Sequence, residues 1–142
     1  MDILNDFVIK TRFPIAWGDM DPMQHINNVV FLRYFENSRI LYYEAIGLCY
    51  FNNKNGFTGV VKSISCEYLL PLIFPDIVEV GARVTAMADN CFTMEHYIWS
   101  QKNGLCAFGE TEITVVNVRT FKPATIPEKT RSEIERIEKR KF

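Results

Sequence analysis

Apolar side chains recur at helical spacing over one long stretch of the chain. Between Asn28 and Ile46, Phe31, Phe35, Tyr42 and Ile46 stand four and seven positions apart, Leu32 and Leu41 widen the stripe, and only Arg33, Glu36, Arg39 and Glu44 carry charge. Gly47 follows, the residue type that most readily adopts the left-handed conformation closing a helix. Such a helix is about 28 Å long at 1.5 Å per residue. With so few charges it is predicted to lie largely buried against something broad, and a sheet is the natural partner.

The flanking segments supply that sheet. Phe7 to Trp17 is a mixed apolar and polar run suited to a strand. After the helix, Gly59–Leu69, Ile77–Ala88, Cys91–Gln101 and Leu105–Val118 are β-rich runs, separated by Pro71–Asp76, Asp89-Asn90 and Lys102–Gly104. The last two separators are hairpin signals, and strands joined by tight turns must run antiparallel. The pattern therefore predicts an α+β chain: one long helix followed by an antiparallel meander, with the first strand added at a position the pattern does not fix. Thr125, Pro127 and Glu128 spell a capping box with proline at the first helical position, opening a charged C-terminal helix. No repeat, low-complexity tract or linker divides residues 1–142, which read as a single domain.

Composition narrows the function classes. A chain of 142 residues buries most of the surface it exposes when unfolded. Its 16 basic and 17 acidic residues give a net charge of −1, so no overall field draws it to nucleic acid or to an anionic membrane. The N-terminal run Met-Asp-Ile-Leu-Asn-Asp lacks the basic start and apolar core of an export signal. No uncharged apolar run approaches the roughly 20 residues that cross a bilayer. The expectation is a cytoplasmic protein, with Cys49, Cys66, Cys91 and Cys106 as reduced packing residues lacking the C-x-x-C pairing of a zinc site.

Candidate chemistry concentrates at one junction. Asp19 to Asn28 gathers two carboxylates, the His25 imidazole and several carboxamides just before the long helix. A helix start presents unpaired backbone N–H groups and a partial positive charge, both of use to a developing oxyanion. Asp and Asn also favour turns and caps on local grounds alone, so Asn27 or Asn28 doubles as the N-cap and Asp19 reads equally as a turn residue.

The order strand, D-x-D-x-x-x-H-I-N-N, long helix ending in Ile-Gly, P-x-x-x-P-D and then three β-rich runs resembles the hotdog-fold acyl-CoA thioesterases of the 4-hydroxybenzoyl-CoA thioesterase type, over roughly residues 7 to 127. The resemblance implies an antiparallel sheet of about five strands wrapped around the central helix, with a homodimer or homotetramer whose active sites lie at subunit interfaces. It implies Asp21 as the catalytic carboxylate, acting on an acyl-CoA or acyl-carrier-protein thioester either as nucleophile or as general base. The Asn28 and Val29 N–H groups would then receive the oxyanion, His25 and Asn27 would orient or hydrogen-bond, and Phe31, Phe35 and Phe57 would line an acyl channel. No cofactor or metal is implied.

Other readings fare less well. As a calcium loop the segment places Gln24 where glycine is needed and Val30 where a bidentate Glu belongs. A phosphatase D-x-D pair needs a larger α/β domain. A nucleophilic thiol has no cysteine near the loop. His96 shares its strand face with Phe92, Met94 and Ile98 and reads as packing. A hotdog hydratase or dehydratase would pair Asp with His five positions on, whereas Asp21 and His25 are four apart; a non-catalytic acyl-binding protein satisfies the same residues. Where one branch of the family clamps coenzyme A phosphates with basic residues, the turn here reads Ala88-Asp-Asn-Cys91, which leaves Arg33, Lys62, Arg83 and Lys122 as alternatives. Glu128 to Phe142 carries six basic residues against four acids, read as a solvated helix end. Gln24 stands where many relatives have glycine.

Overall fold

The computed structural model describes residues 3–48 and 56–142. A 3-10 turn at Ile3–Asp6 leads into β1 (Ile9–Pro14). A second turn, Trp17–Asp19, precedes α1 (Asn28–Ile46), and β2 (Phe57–Ile64), the two-residue β3 (Glu67–Tyr68), β4 (Ile77–Met87), β5 (Cys91–Ser100), β6 (Gly104–Asn117) and α2 (Glu128–Glu138) follow. The five longer strands form one antiparallel sheet in the order β1-β4-β5-β6-β2, and β3 also pairs with β6. This curled sheet around one long helix, with a short helix at the end, is the hotdog architecture.

Helix α1 occupies the stretch its spacing predicts and ends as expected, with Gly47 at φ 80° and its N–H on the Tyr43 carbonyl. Phe31, Phe35, Tyr42 and Ile46 are buried, and so are Tyr34, Ser38, Arg39 and Tyr43. The buried face is wider than an amphipathic stripe because the sheet curls around the helix. Gly109 on β6 lets it come close: a Cβ there would lie 2.9 Å from the Phe35 ring and would collide with the Ser65 carbonyl. Full burial of a side chain such as Phe35 contributes about 1.5–3 kcal/mol.

Strand β5 shows the alternation of a half-buried strand, with Phe92, Met94, His96 and Ile98 turned to the helix. His96 is packing, as its strand face suggested. Its Nδ1 lies 3.2 Å from the Ser38 hydroxyl, its Nε2 lies 3.0 Å from the Thr111 hydroxyl, and its ring stacks on Phe35. Burial, and then the nearby Arg39 charge, lower its pKa to about 3, so the ring is neutral.

Three expectations need correction. The run Gly59–Leu69 is not one strand of a meander: β2 stops at Ile64 and pairs with β6, and the chain then crosses two strands of the sheet before β4 begins. Apolar alternation specifies a face, not a neighbour, so only β4-β5-β6 follow one another as hairpins. The Thr125 capping box does not form. The Ala124 N–H on Val115 O and the Ile126 N–H on Asp89 O hold that segment against the end of β6 and the β4–β5 turn, and α2 starts at Glu128 after an uncapped Pro127. Arg39, read among the charges that interrupt the helix, is buried, and its Nη1 has no acceptor among the described residues.

Two hydrophobic clusters flank the midpoint of α1. Around its N-terminal half lie Ile26, Phe31, Phe35, Leu72, Val80 and Ile98. Around its C-terminal half lie Tyr42, Ile46, Phe92 and Ile113, closed by Ile134 and Ile137 of α2. There the Glu138 carboxylate accepts both the Tyr42 hydroxyl at 2.5 Å and the Val84 N–H at 3.0 Å, fastening α2 over the core. Cys66, Cys91 and Cys106 are free thiols, and Cys49 lies outside the described residues.

Candidate active site

The acidic segment folds into a compact turn in front of α1. Its arms are joined by a bridge between Met20 and Ile26, by the Asp21 N–H on His25 O at 2.8 Å and by the Gln24 N–H on Asp21 O at 2.8 Å. Gln24 sits at φ 64°, in the left-handed region that favours glycine. The Ile26 N–H reaches Leu72 O at 2.8 Å, and the Asn27 N–H reaches Asp19 O at 3.0 Å, so the turn is fixed both to itself and to the crossing segment.

Asp21 is half-buried at the tip of this turn. One carboxylate oxygen accepts the Met23 N–H at 2.9 Å, and the other has no partner among the described residues. The Asp19 carboxylate lies 4.0 Å from the Arg33 guanidinium of α1. Asn27 is the helix N-cap, with its side-chain oxygen on the Val29 N–H at 2.9 Å. The Val29 donor is thus already engaged, whereas the Asn28 N–H, first in the helix, has no acceptor among the described residues.

Two depressions flank the turn. The larger, about 680 Å³, is lined by Trp17, Gly18, Met20, Asp21, Pro22, Gln24, Ile73 and Phe74. The smaller, about 220 Å³, is lined by His25, Ile26, Asn28, Phe31, Tyr68, Leu69, Leu70 and Pro71. The backbone bond between Ile26 and Leu72 joins the two segments that bound both. Within one chain, therefore, Asp21 lines one depression while His25, Asn28 and Phe31 line the other. Phe35 lies fully buried beneath, and Phe57 packs with the distant cluster around Tyr42, away from Phe31.

Tyr68 carried no periodic signal in the sequence. Its hydroxyl donates to Asn28 O at 3.0 Å, and its ring meets Phe31 edge-on at 5.1 Å. Burial raises the Cys66 thiol and pushes Cys106 up to about 12, which leaves neither as a thiolate nucleophile near neutral pH. Of the candidate phosphate-binding cations, Arg83 is committed to Glu95 at 2.5 Å and lies over the Phe7 ring, and Arg33 lies 4.0 Å from Asp19 of the turn. Among the described residues no three His, Cys, Asp or Glu side chains gather as metal ligands, and no helix is long and apolar enough to cross a membrane.

The sequence matches the model of the thioesterase-like superfamily over residues 15–134. A thioesterase of Thermus thermophilus, crystallised in complex with coenzyme A and zinc, superposes with a TM-score of 0.84 at 30% identity, covering 96% of this chain and 98% of that one. The PA5185 protein of Pseudomonas aeruginosa PAO1 superposes with a TM-score of 0.83 at 25% identity, covering 96% of each chain. The uncharacterised protein YsmA of Bacillus subtilis (strain 168) is 26% identical over 98 residues, which make up 69% of this chain and 65% of YsmA. The match thus spans just under two thirds of that relative's length.

Proposed function

The chain belongs to the thioesterase-like superfamily, and from that membership we propose that it hydrolyses an acyl-CoA or acyl-carrier-protein thioester to a free carboxylic acid and a thiol. One observation carries the reading: a turn locked by its own hydrogen bonds holds Asp21, with one oxygen uncommitted, directly before a helix whose first N–H is also uncommitted.

The chemistry has two routes. As general base, Asp21 takes a proton from a water whose oxygen attacks the thioester carbon; the C–S bond then breaks, and the departing thiolate takes up the proton. As nucleophile, Asp21 attacks that carbon itself and expels the thiolate, and water hydrolyses the resulting mixed anhydride. Either route places negative charge on the carbonyl oxygen, for which the Asn28 N–H at the positive end of α1 is the candidate donor. Asn27 acts by capping, which fixes the direction of that helix start. His25 is the candidate hydrogen-bonding group on the cleft wall, and Phe31 the apolar surface beside the acyl or pantetheine chain.

Asp21 and Asn28 line different depressions of one chain, which favours a site assembled from two copies. Strand β2 supports a homodimer or a higher homo-oligomer. It is an edge strand whose Val60, Val61 and Ile64 are 39%, 39% and 37% exposed, and an open apolar edge invites pairing with another strand. Thiol release from short, long and aromatic acyl-CoAs tests the reading. Free thiol and acid in equal amounts support hydrolysis. Binding of these thioesters without release would instead make the protein an acyl-binding module.

A further inference from the structure

We propose that Tyr68 is a positioning residue for thioester cleavage: its hydroxyl holds the first residue of α1 in place for the substrate carbonyl, and its ring closes the cleft over Phe31. The proposal rests on the hydrolase reading above. Tyr68 belongs to β3, which pairs with Phe108 and Ala107 of β6, and the next two residues anchor the strand through the Leu69 and Leu70 N–H groups on Cys106 O, at 2.8 and 3.1 Å. From this fixed base the side chain crosses the cleft. The ring rests edge-on against Phe31 at 5.1 Å, and the hydroxyl donates to the Asn28 carbonyl at 3.0 Å.

That contact joins residues 40 positions apart. It falls on the one residue of the helix start whose N–H remains available, since Asn27 already engages Val29. A tether on the Asn28 carbonyl restrains the orientation of the residue that bears the donor. Catalysis by an oxyanion donor depends on where that donor stands before the charge develops, so the benefit of the hydroxyl belongs to the transition state and should appear in kcat. The ring is a wall of the 220 Å³ cleft and touches whatever chain lies there, so its benefit belongs equally to bound substrate and should appear in KM.

The experiment compares wild type, Tyr68→Phe and Tyr68→Ala. Tyr68→Phe keeps the contact with Phe31 and removes only the tether; it should lower kcat about three- to tenfold, the worth of one hydrogen bond, with KM unchanged. Tyr68→Ala should in addition raise KM. A second readout does not need turnover: a dethia-CoA ketone, with methylene in place of the thioester sulfur, is titrated into 15N-labelled protein. The Asn28 amide resonance should shift in wild type and shift less in Tyr68→Phe. A Tyr68→Phe protein identical to wild type in kcat and in the Asn28 shift overturns the proposal. A wild-type protein that cleaves no thioester overturns the hydrolase reading instead, and the amide readout still decides the role of Tyr68.

Discussion

The Asn27 side-chain oxygen accepts the Val29 N–H at 2.9 Å and thereby sorts the donors at the head of α1. Of the two N–H groups that could meet an oxyanion, one is spent on the cap and the other, on Asn28, is left for a ligand. Asn27→Ala should cost about 1 kcal/mol of stability, the usual loss when an N-cap side chain is removed, read as a lower urea midpoint at unchanged m-value. An unaltered midpoint would mean that the cap bond adds nothing to the fold.

Gln24 holds the turn beside Asp21 at φ 64°. An L-residue with a Cβ bears a steric cost of roughly 1–2 kcal/mol there, which glycine avoids while losing more backbone entropy on folding. Gln24→Gly should therefore fold with stability within about 1 kcal/mol of wild type and retain turnover. Gln24→Ile, whose branched Cβ fits this conformation worst, should lose stability and activity together. Thermal melts and thiol release on the three proteins check this, and an isoleucine variant as active and stable as wild type would contradict it.

His96 gives the fold a pH dependence of known sign. Its pKa is about 3 in the folded protein and near 6.5 when the chain unfolds. Below 6.5 the unfolded state takes up a proton that the folded state does not, so the stability present above 6.5 is lost as pH falls toward 3, by at most about 1.4 kcal/mol per pH unit. The melting temperature of wild type should drop more between pH 7 and 5 than that of His96→Gln, which carries no proton there. Burial is the larger cause and the Arg39 charge the second, so Arg39→Met should raise the His96 pKa without restoring 6.5, as followed by NMR titration. Parallel melting curves for wild type and His96→Gln would count against this account.

Much of this was legible along the chain, and the remainder has physical reasons for being hidden. Phe31, Phe35, Tyr42 and Ile46 are local in sequence, and with Gly47 they mark α1 to the residue. The alternation from Phe92 to Ile98 likewise marks β5. The pairing of β2 with β6 is decided by contacts some 50 positions apart, and alternation carries no record of them. Thr125 satisfied a local capping pattern that lost to backbone bonds with Val115 and Asp89. Before the helix, the cluster of polar residues marked Asp21, His25 and Asn27 as candidates, and the structure gathers them in one turn and its cap. Tyr68, a single aromatic residue before a Leu-Leu-Pro run, acquires its place only when β3 brings it over the helix start, and within one chain Phe57 packs at the other end of α1 from Phe31 because β2 begins there.

Whether Asp21 drives thioester hydrolysis is read from kcat for thiol release from the best acyl-CoA, with wild type beside Asp21→Asn. The asparagine variant should keep the fold and oligomeric state, since a half-buried carboxylate at a turn tip adds little to the core, while kcat falls by a factor of about 10² or more, the usual contribution of a positioned acid or base. A well-folded Asp21→Asn protein that turns over at the wild-type rate would contradict it.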